Sequence, residues 1–269
     1  MATRPAGAGS GPLGPRILLA NDDGINSPGL AVLEEIARGI SDDVWIVAPE
    51  DEQSGAAHSL TINEPLRLRA VGDRRYAVRG TPTDCVMLAV HHILRGQKRP
   101  DLLLSGINMG ANLGEDVTYS GTVAAAMEGC LLGIRSIAFS QLMRLSAPVH
   151  WGTPRKFAPG IIQRVLSVDW PEGVLMNVNF PDLPPEAVTG VLTSLQGQRD
   201  PADLIIEERI DVRGLPYYWI GFRRNPFKPL EDTDFAVIDQ GAISVSPLRI
   251  NLSDPGTRER IRPLLNDLK

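Results

Sequence analysis

A chain of 269 residues is long enough for one large α/β domain or for two small domains. With 43% hydrophobic and 22% charged residues it has an ordinary globular composition, and its formal net charge of −5 argues against a broad basic surface for nonspecific nucleic-acid binding. No segment approaches the roughly 18 consecutive apolar residues of a membrane span.

Residues 1–15 are rich in Ala, Gly and Pro and lack the apolar stretch of a secretory signal, so we predict a disordered leader. Cys85 and Cys130 lie in apolar runs that look helical, where a small buried side chain is a sufficient explanation. With neither a signal nor a cysteine framework, the default prediction is a cytoplasmic protein.

From Arg16 onward, short aliphatic runs alternate with helical patterns, which is typical of βαβ units around a parallel sheet. Strands are predicted at 17–20, 44–47, 102–104 and 137–139, helices from Ser27–Pro28, from Thr81–Pro82 and over about 122–132, and a hairpin at 66–71 and 76–78. Polar turns follow several of these strands, at the edge where open α/β sheets bind ligands.

The pattern changes after Phe180, where prolines interrupt the chain and residues 205–212 and 217–222 resemble a long hairpin. Three consecutive aromatic residues, 217–219, are too much exposed apolar surface for an isolated ribbon, so we expect them to pack on a partner subunit. We therefore assign residues 16–182 to a core and 183–269 to an extension comprising the hairpin, a returning strand and a C-terminal helical segment.

Two adjacent carboxylates, Asp22 and Asp23, directly follow the first predicted strand. Their mutual repulsion at the edge of a sheet is costly unless a positive group neutralises it. Mg²⁺ or Mn²⁺ would do so, because these cations take one or two carboxylates plus neutral oxygens. From the pair alone, a turn-capping role and a metal-binding role both stay open.

Three further loops lie at the same predicted edge. The segment that begins at Ser54 offers hydroxyls and free amides, and Asn108 offers a neutral carbonyl oxygen. Ser120 begins a small-residue helix whose positive N-terminal end favours anions, although an ordinary N-cap explains the same residue. The joint occurrence of these loops is much less expected by chance than any one of them. His58, in the Ser54 loop, is either a proton donor to a leaving group or a solvated loop residue.

The motifs, taken in order, resemble those of the SurE (survival protein E) family. The resemblance rests on these ordered stretches: Asn21-Asp22-Asp23-Gly24, Gln53-Ser54-Gly55, Gly80-Thr81-Pro82-Thr83-Asp84-Cys85, Ser105-Gly106-Ile107-Asn108, Tyr119-Ser120-Gly121-Thr122, Asp234 and residues 243–248. It covers nearly everything after the leader.

This resemblance implies a Rossmann-like α/β core with a mostly parallel sheet, and a hairpin and C-terminal segment exchanged between the subunits of a homodimer or homotetramer. It implies a phosphatase acting on nucleoside 5′- and 3′-monophosphates with one divalent ion, Mg²⁺ or Mn²⁺, per subunit. The implied metal ligands are Asp22, Asp23, Ser54 and Asn108, with the two aspartates catalytic. The implied phosphate-binding residues are Asn112, Ser120, Gly121 and Thr122.

Two other enzyme or signalling classes fit the sequence less well. A receiver domain needs an acceptor aspartate after the third central strand, where this chain has Ser105 to Asn108. A haloacid-dehalogenase-type phosphatase needs its two aspartates separated by one residue, whereas Asp22 and Asp23 are contiguous. A non-catalytic nucleotide- or phosphate-binding module is harder to exclude, because the same loops could hold a nucleotide without cleaving it.

Overall fold

The computed structural model describes residues 14–144, 147–199, 204–222 and 229–266. Its strands are β1 (Ile17–Ala20), β2 (Val44–Pro49), β3 (Arg67–Gly72), β4 (Arg75–Arg79), β5 (Leu102–Met109), β6 (Arg135–Gln141), β7 (Val174–Phe180), β8 (Val191–Thr193), β9 (Leu204–Ile210), β10 (Pro216–Phe222) and β11 (Ile243–Arg249). Its helices are α1 (Pro28–Arg38), α2 (Pro82–Leu88), α3 (Asp116–Tyr119), α4 (Gly121–Leu131), α5 (Gly152–Leu166), α6 (Asp234–Asp239) and α7 (Pro255–Leu265). A wider π-helical turn, Ala89–Ile93, continues α2.

Nine strands form one sheet in the order β3-β4-β2-β1-β5-β6-β7-β11-β8. The six strands from β4 to β7 in this order are parallel, while β3 and β11 each run antiparallel to an inner neighbour. This confirms the predicted α/β fold with a mostly parallel sheet. The core lies on both faces of the sheet, because alternate residues of the central strands, such as Ile17 and Leu18, belong to two separate apolar clusters.

Local sequence signals account for the helix starts that position the central loops. Ser27 accepts a hydrogen bond from the Leu30 amide at the start of α1, and Pro28 occupies the first helical turn. Thr81 and Asp84 form a reciprocal capping box at the start of α2. Both starts were predicted.

The first two helices, the inserted hairpin β3–β4 and the long hairpin β9–β10 all lie where the sequence predicted them. The predicted strand 102–104 was too short, because β5 continues to Met109. Pairing with β6 shifts in register between Ser105 and Asn108 and then continues to Met109. Gly106 makes this irregularity possible, because its φ of 124° is a conformation that glycine adopts readily.

The chain after Phe180 contributes to two structures. The returning strand β11 and the short β8 complete the large sheet, whereas β9 and β10 form a separate two-stranded sheet. The predicted leader, except for its last two residues, lies outside the described residues. Within the described part of the chain, no helix is both long and apolar enough to cross a lipid bilayer.

Candidate active site

The acidic pair follows β1 directly, at the carboxyl edge of the sheet. Asn21 holds the turn, because its side-chain amide donates to the Gly24 carbonyl at 2.9 Å and to the Ser27 hydroxyl at 2.8 Å. Asp22 is 4% exposed, and Asp23 is partly buried beside it. The turn therefore places two carboxyl groups next to each other with little access to water.

Burial disfavours the ionised form of both carboxyl groups and so raises the pKa of each. Burial raises the pKa of Asp22, although hydrogen bonds from Thr122 oppose the change. Burial, with the neighbouring Asp22 as the second cause, raises the pKa of Asp23 to about 6. The charged side chains that influence the two carboxyls are acids, namely Glu52 and, for Asp23, Asp22 itself. A cation would relieve this accumulation of negative charge.

Helix α4 begins against Asp22. The Thr122 hydroxyl donates to Asp22 Oδ1, and a Cβ atom on Gly121 would lie 2.7 Å from Cβ of Asp22, so only glycine permits this approach. Ser120 is the N-cap, with its Oγ accepting from the Val123 amide at 3.1 Å. Three predicted phosphate-binding residues thus lie at the acidic pair. The Thr122 hydroxyl is already bonded to Asp22, so any phosphate contact from Thr122 stays a prediction.

Asn108 reaches the pair through β5. The Met109 amide donates to Asp23 Oδ2 at 3.1 Å, which puts the preceding residue beside the carboxylates. The Asn108 side-chain nitrogen donates to the Gly110 carbonyl at 2.9 Å. This bond orients the side-chain amide and uses its nitrogen, so the oxygen is the atom that suits a cation.

Ser54 lies on an exposed loop tied to the same turn. The Gln53 amide donates to the Asp22 carbonyl at 2.8 Å, so Ser54 is one residue from a direct contact with the acidic pair. The Ser54 hydroxyl donates to Glu52 at 2.8 Å. Sequence-predicted ligands from three separate loops therefore converge at one edge of the sheet.

Asn112 is buried in a polar network instead of projecting freely. Its backbone amide donates to Asn179 at 2.8 Å and its side-chain amide donates to the Ser140 hydroxyl at 2.7 Å. Asn177 and Asn179 both donate to its carbonyl oxygen. These bonds fix the loop between β5 and α3, and the predicted role of Asn112 in phosphate binding stays a prediction.

His58 has a buried partner that sequence spacing could not indicate. Its Nε2 lies 3.0 Å from Glu128 Oε2 on α4, and the Glu128 side chain is 10% exposed. Neither role considered for His58 from the sequence, proton donor or solvated loop residue, included this pairing.

The donor set fits a hard divalent cation. Among the described residues, no group of three or more His, Cys, Asp and Glu side chains is arranged to hold a metal. The predicted set instead combines two carboxylates with a hydroxyl and an amide oxygen, which suits Mg²⁺ or Mn²⁺ better than zinc. The observation that suits this set to a cation is the acidic pair, in which Asp22 is buried, Asp23 is partly buried and the charged neighbours are acids.

Comparison with known proteins identifies the family. The family model described as "Survival protein SurE" matches residues 17–203. The chain belongs to the SurE family.

Its relatives cover almost the whole chain. A protein from Parvibaculum lavamentivorans named "5'-nucleotidase SurE" is 52% identical over 97% of this chain and 95% of its own length. One of the same name from Paramagnetospirillum magneticum is 58% identical over 88% and 91%. The crystal structure of the SurE protein from Aquifex aeolicus is 42% identical, covers 92% of this chain and 98% of its own, and superposes with a TM-score of 0.81.

Proposed function

We propose that this protein is a divalent-metal-dependent phosphatase that hydrolyses nucleoside 5′- and 3′-monophosphates to nucleoside and phosphate. The observation that carries the proposal is the buried Asp22–Asp23 pair, which has acids as charged neighbours and the N-terminus of α4 against it. The name shared by the relatives supports the 5′-nucleotidase part. Activity on 3′-monophosphates follows from the resemblance in sequence.

In this proposal, Asp22, Asp23, Ser54 and Asn108 hold one Mg²⁺ or Mn²⁺ per subunit. When bound, the ion would neutralise the acidic pair and polarise a phosphoryl oxygen. Ser120 and Gly121, at the positive end of α4, orient the phosphate. Asp22 in turn is held in place by the Thr122 hydroxyl, so the carboxylate keeps its position when a substrate enters.

The test is phosphate release from a panel of nucleoside 5′- and 3′-monophosphates by the purified protein, with Mg²⁺, Mn²⁺ or excess chelator. We expect release with either ion, none in chelator, and severe loss in Asp22→Asn and Asp23→Asn. A matched control is Asp42→Asn, an exposed acid before β2 at the opposite edge of the sheet, which should keep full activity.

Full activity in chelator, or in both aspartate variants, contradicts the proposed mechanism. Tight nucleotide binding without hydrolysis under every ion would favour the other interpretation, a non-catalytic nucleotide- or phosphate-binding regulatory module. Equilibrium dialysis with a nonhydrolysed nucleotide separates these outcomes.

We further propose that the subunit forms a homodimer, or a homotetramer built from such dimers, with β9–β10 and the C-terminal segment at the interface. Trp219 is 61% exposed and Tyr218 57% exposed on the hairpin, and α7 contains no buried residue. Such aromatic surface supports association.

Light scattering tests this association, and the measured mass should be a multiple of the 29.2 kDa of one subunit. The double variant Tyr218→Ser, Trp219→Ser should shift the mass towards one subunit, and a monomeric wild-type protein contradicts the proposal.

The cytoplasmic location and the division into residues 16–182 and 183–269 stay predictions from the sequence.

A further inference from the structure

The loop that carries Ser54 does not hold itself in place. Residues 51–63 form neither helix nor strand, and Ser54 is exposed. Gly55 and Ala57 both have positive φ, 76° and 52°, and the second is an unfavourable conformation for a residue with a side chain. Since ordering such a loop costs conformational entropy, contacts with the rest of the fold are needed, beyond its internal bonds, to keep it beside the acidic pair.

The early part of the loop has two backbone contacts. The Gln53 amide donates to Asp22, and the Ala57 amide donates to the Tyr119 carbonyl at 3.1 Å, directly before the N-cap of α4. His58 adds the side-chain contact to the buried Glu128. These contacts join the loop to both halves of the candidate site.

The far end of the loop is held by Asp84, which is 2% exposed. Asp84 Oδ1 accepts from the Thr61 amide at 3.0 Å, and Oδ2 accepts from the Thr61 hydroxyl at 2.7 Å. Oδ2 also accepts from the Thr81 amide at 2.8 Å, while the Thr81 hydroxyl donates to the Ser59 carbonyl.

These bonds exceed what a helix start requires. The capping box of α2 uses Thr81 and Asp84 alone. The two bonds to Thr61 and the bond to Ser59 contribute nothing to the cap, and they connect α2 to the loop 20 or more residues earlier in the chain. These three bonds therefore hold the end of the loop against the start of α2.

We propose that Asp84 is a positioning residue: through Thr61 it holds the far end of the Ser54 loop, whose near end is bonded to Asp22 through the Gln53 amide, and so limits how far Ser54 can move from the Asp22–Asp23 pair. The inference rests on the proposed function, because it assigns the loop to metal and substrate binding. Asp84 would act through the loop, because its hydrogen bonds go to Thr61 and Thr81 and not to the proposed metal ligands. The motif Gly80 to Cys85, which the sequence singled out without a chemical role, thereby gains one.

The principal test is Thr61→Val, which removes the hydroxyl donor to Asp84 and keeps the shape of the side chain. We expect the dissociation constant for Mn²⁺, measured by calorimetry, and the KM for a nucleoside monophosphate to rise about fivefold, as for the loss of one hydrogen bond. The kcat should change less than the KM, because the acidic pair and α4 are untouched. Thr61→Ser restores the hydroxyl and should restore both constants.

Asp84→Asn is the second variant, and hydrogen exchange provides a readout without turnover. Amides in residues 53–61 should exchange faster in Thr61→Val and Asp84→Asn than in the wild-type protein, with β1 and β5 unchanged. The matched control is Thr189→Val, whose hydroxyl donates to the Gln240 carbonyl at 3.0 Å far from the acidic pair along the chain. It should leave Mn²⁺ affinity and loop exchange at wild-type values.

Unchanged Mn²⁺ affinity and unchanged loop exchange in folded Thr61→Val would overturn the proposal, even if Asp84→Asn fails to fold. An equal effect of Thr189→Val would also overturn it, since the effect would then be general destabilisation. Absence of hydrolysis by the wild-type protein contradicts the proposed function instead, and the exchange experiment still decides whether Asp84 holds the loop.

Discussion

Aspartates with little exposure lie at both the amino and the carboxyl ends of the parallel strands, and the charged side chains next to them are basic at one end and acidic at the other. At the amino edge, Asp43 precedes β2 and is 2% exposed, with Arg16 Nε at 2.7 Å and Arg74 Nη1 at 3.1 Å. At the carboxyl edge, Asp22 and Asp23 are next to each other, and the other charged side chain that acts on both is Glu52.

The pKa values follow from these surroundings. Burial alone would raise the pKa of Asp43, but hydrogen bonds from Arg16 and Trp45 outweigh it and lower the pKa below the ordinary value of 3.8. Burial raises the pKa of Asp22 and Asp23, and the nearby charge of Glu52 raises both further. Removing a buried acid that has its own cation leaves that cation unpaired and destabilises the fold, whereas two neighbouring acids without a basic partner are suited to bind a cation from solution.

The largest expected effect is on catalytic activity, which a substitution at the carboxyl edge should lower and one at the amino edge should not. Asp22→Asn should lower kcat for nucleoside monophosphates by at least about 100-fold, the usual cost of losing one electrostatic group of an active site. Asp43→Asn should leave kcat of the folded protein within about twofold, since Asp43 lies at the opposite edge of the sheet and makes no interaction with the acidic pair. Steady-state kinetics at saturating Mn²⁺ measures both, and equal losses would show that the distinction between the edges is wrong.

The second expected effect is on stability, where the substitution at the amino edge should have the larger effect. Asp43→Asn should lower the free energy of unfolding by about 3 kcal/mol, because it leaves Arg16 and Arg74 without their buried partner. Asp23→Asn should not destabilise the metal-free protein and should raise its melting temperature slightly, since it removes one of two repelling buried charges. Urea unfolding in chelator compares the variants. A strongly destabilised Asp23→Asn would contradict the argument.

Added metal should stabilise through the carboxyl edge alone. At a hundredfold excess over its dissociation constant, Mn²⁺ should raise the free energy of unfolding of the wild-type protein by about 2.7 kcal/mol. Asp22→Asn and Asp23→Asn should lose most of this gain, while Asp42→Asn should keep it. Thermal unfolding with and without Mn²⁺ measures the difference, and an equal gain in every variant would place the ion elsewhere.

The smallest effect concerns pH. Since the folded-state pKa of Asp43 is lowered, its contribution to stability is complete above its ordinary pKa and is lost as the pH falls through the folded value. The difference in unfolding free energy between the wild-type protein and Asp43→Asn should therefore be constant near pH 7 and shrink at about pH 3. Urea titrations of both proteins at the two pH values test this. A difference that grew on acidification would contradict the assigned partners.

Much of the fold was accessible from the sequence because its signals are local. Ser27 and Pro28 begin α1, Thr81 and Pro82 begin α2, and alternating apolar runs mark the central strands. Helix α5 was not predicted, and Pro159 inside it is a residue that normally argues against a helix. The end of β5 was misplaced because Ser105 and Gly106 look like a turn, and only pairing with β6 continues the strand beyond them.

The sequence by itself placed Asp22 and Asp23 side by side after an apolar strand, since adjacency and strand pattern are properties of neighbouring residues. The tertiary structure decided which charges meet them. Arg16 and Arg74 lie 27 and 31 residues from Asp43, and Asp84 reaches back 23 residues to Thr61. Such contacts depend on strand order and on which loops share an edge of the sheet. Only the folded chain therefore shows that Asp43 pairs with two arginines, whereas the charged neighbour of the acidic pair at the opposite edge is another acid.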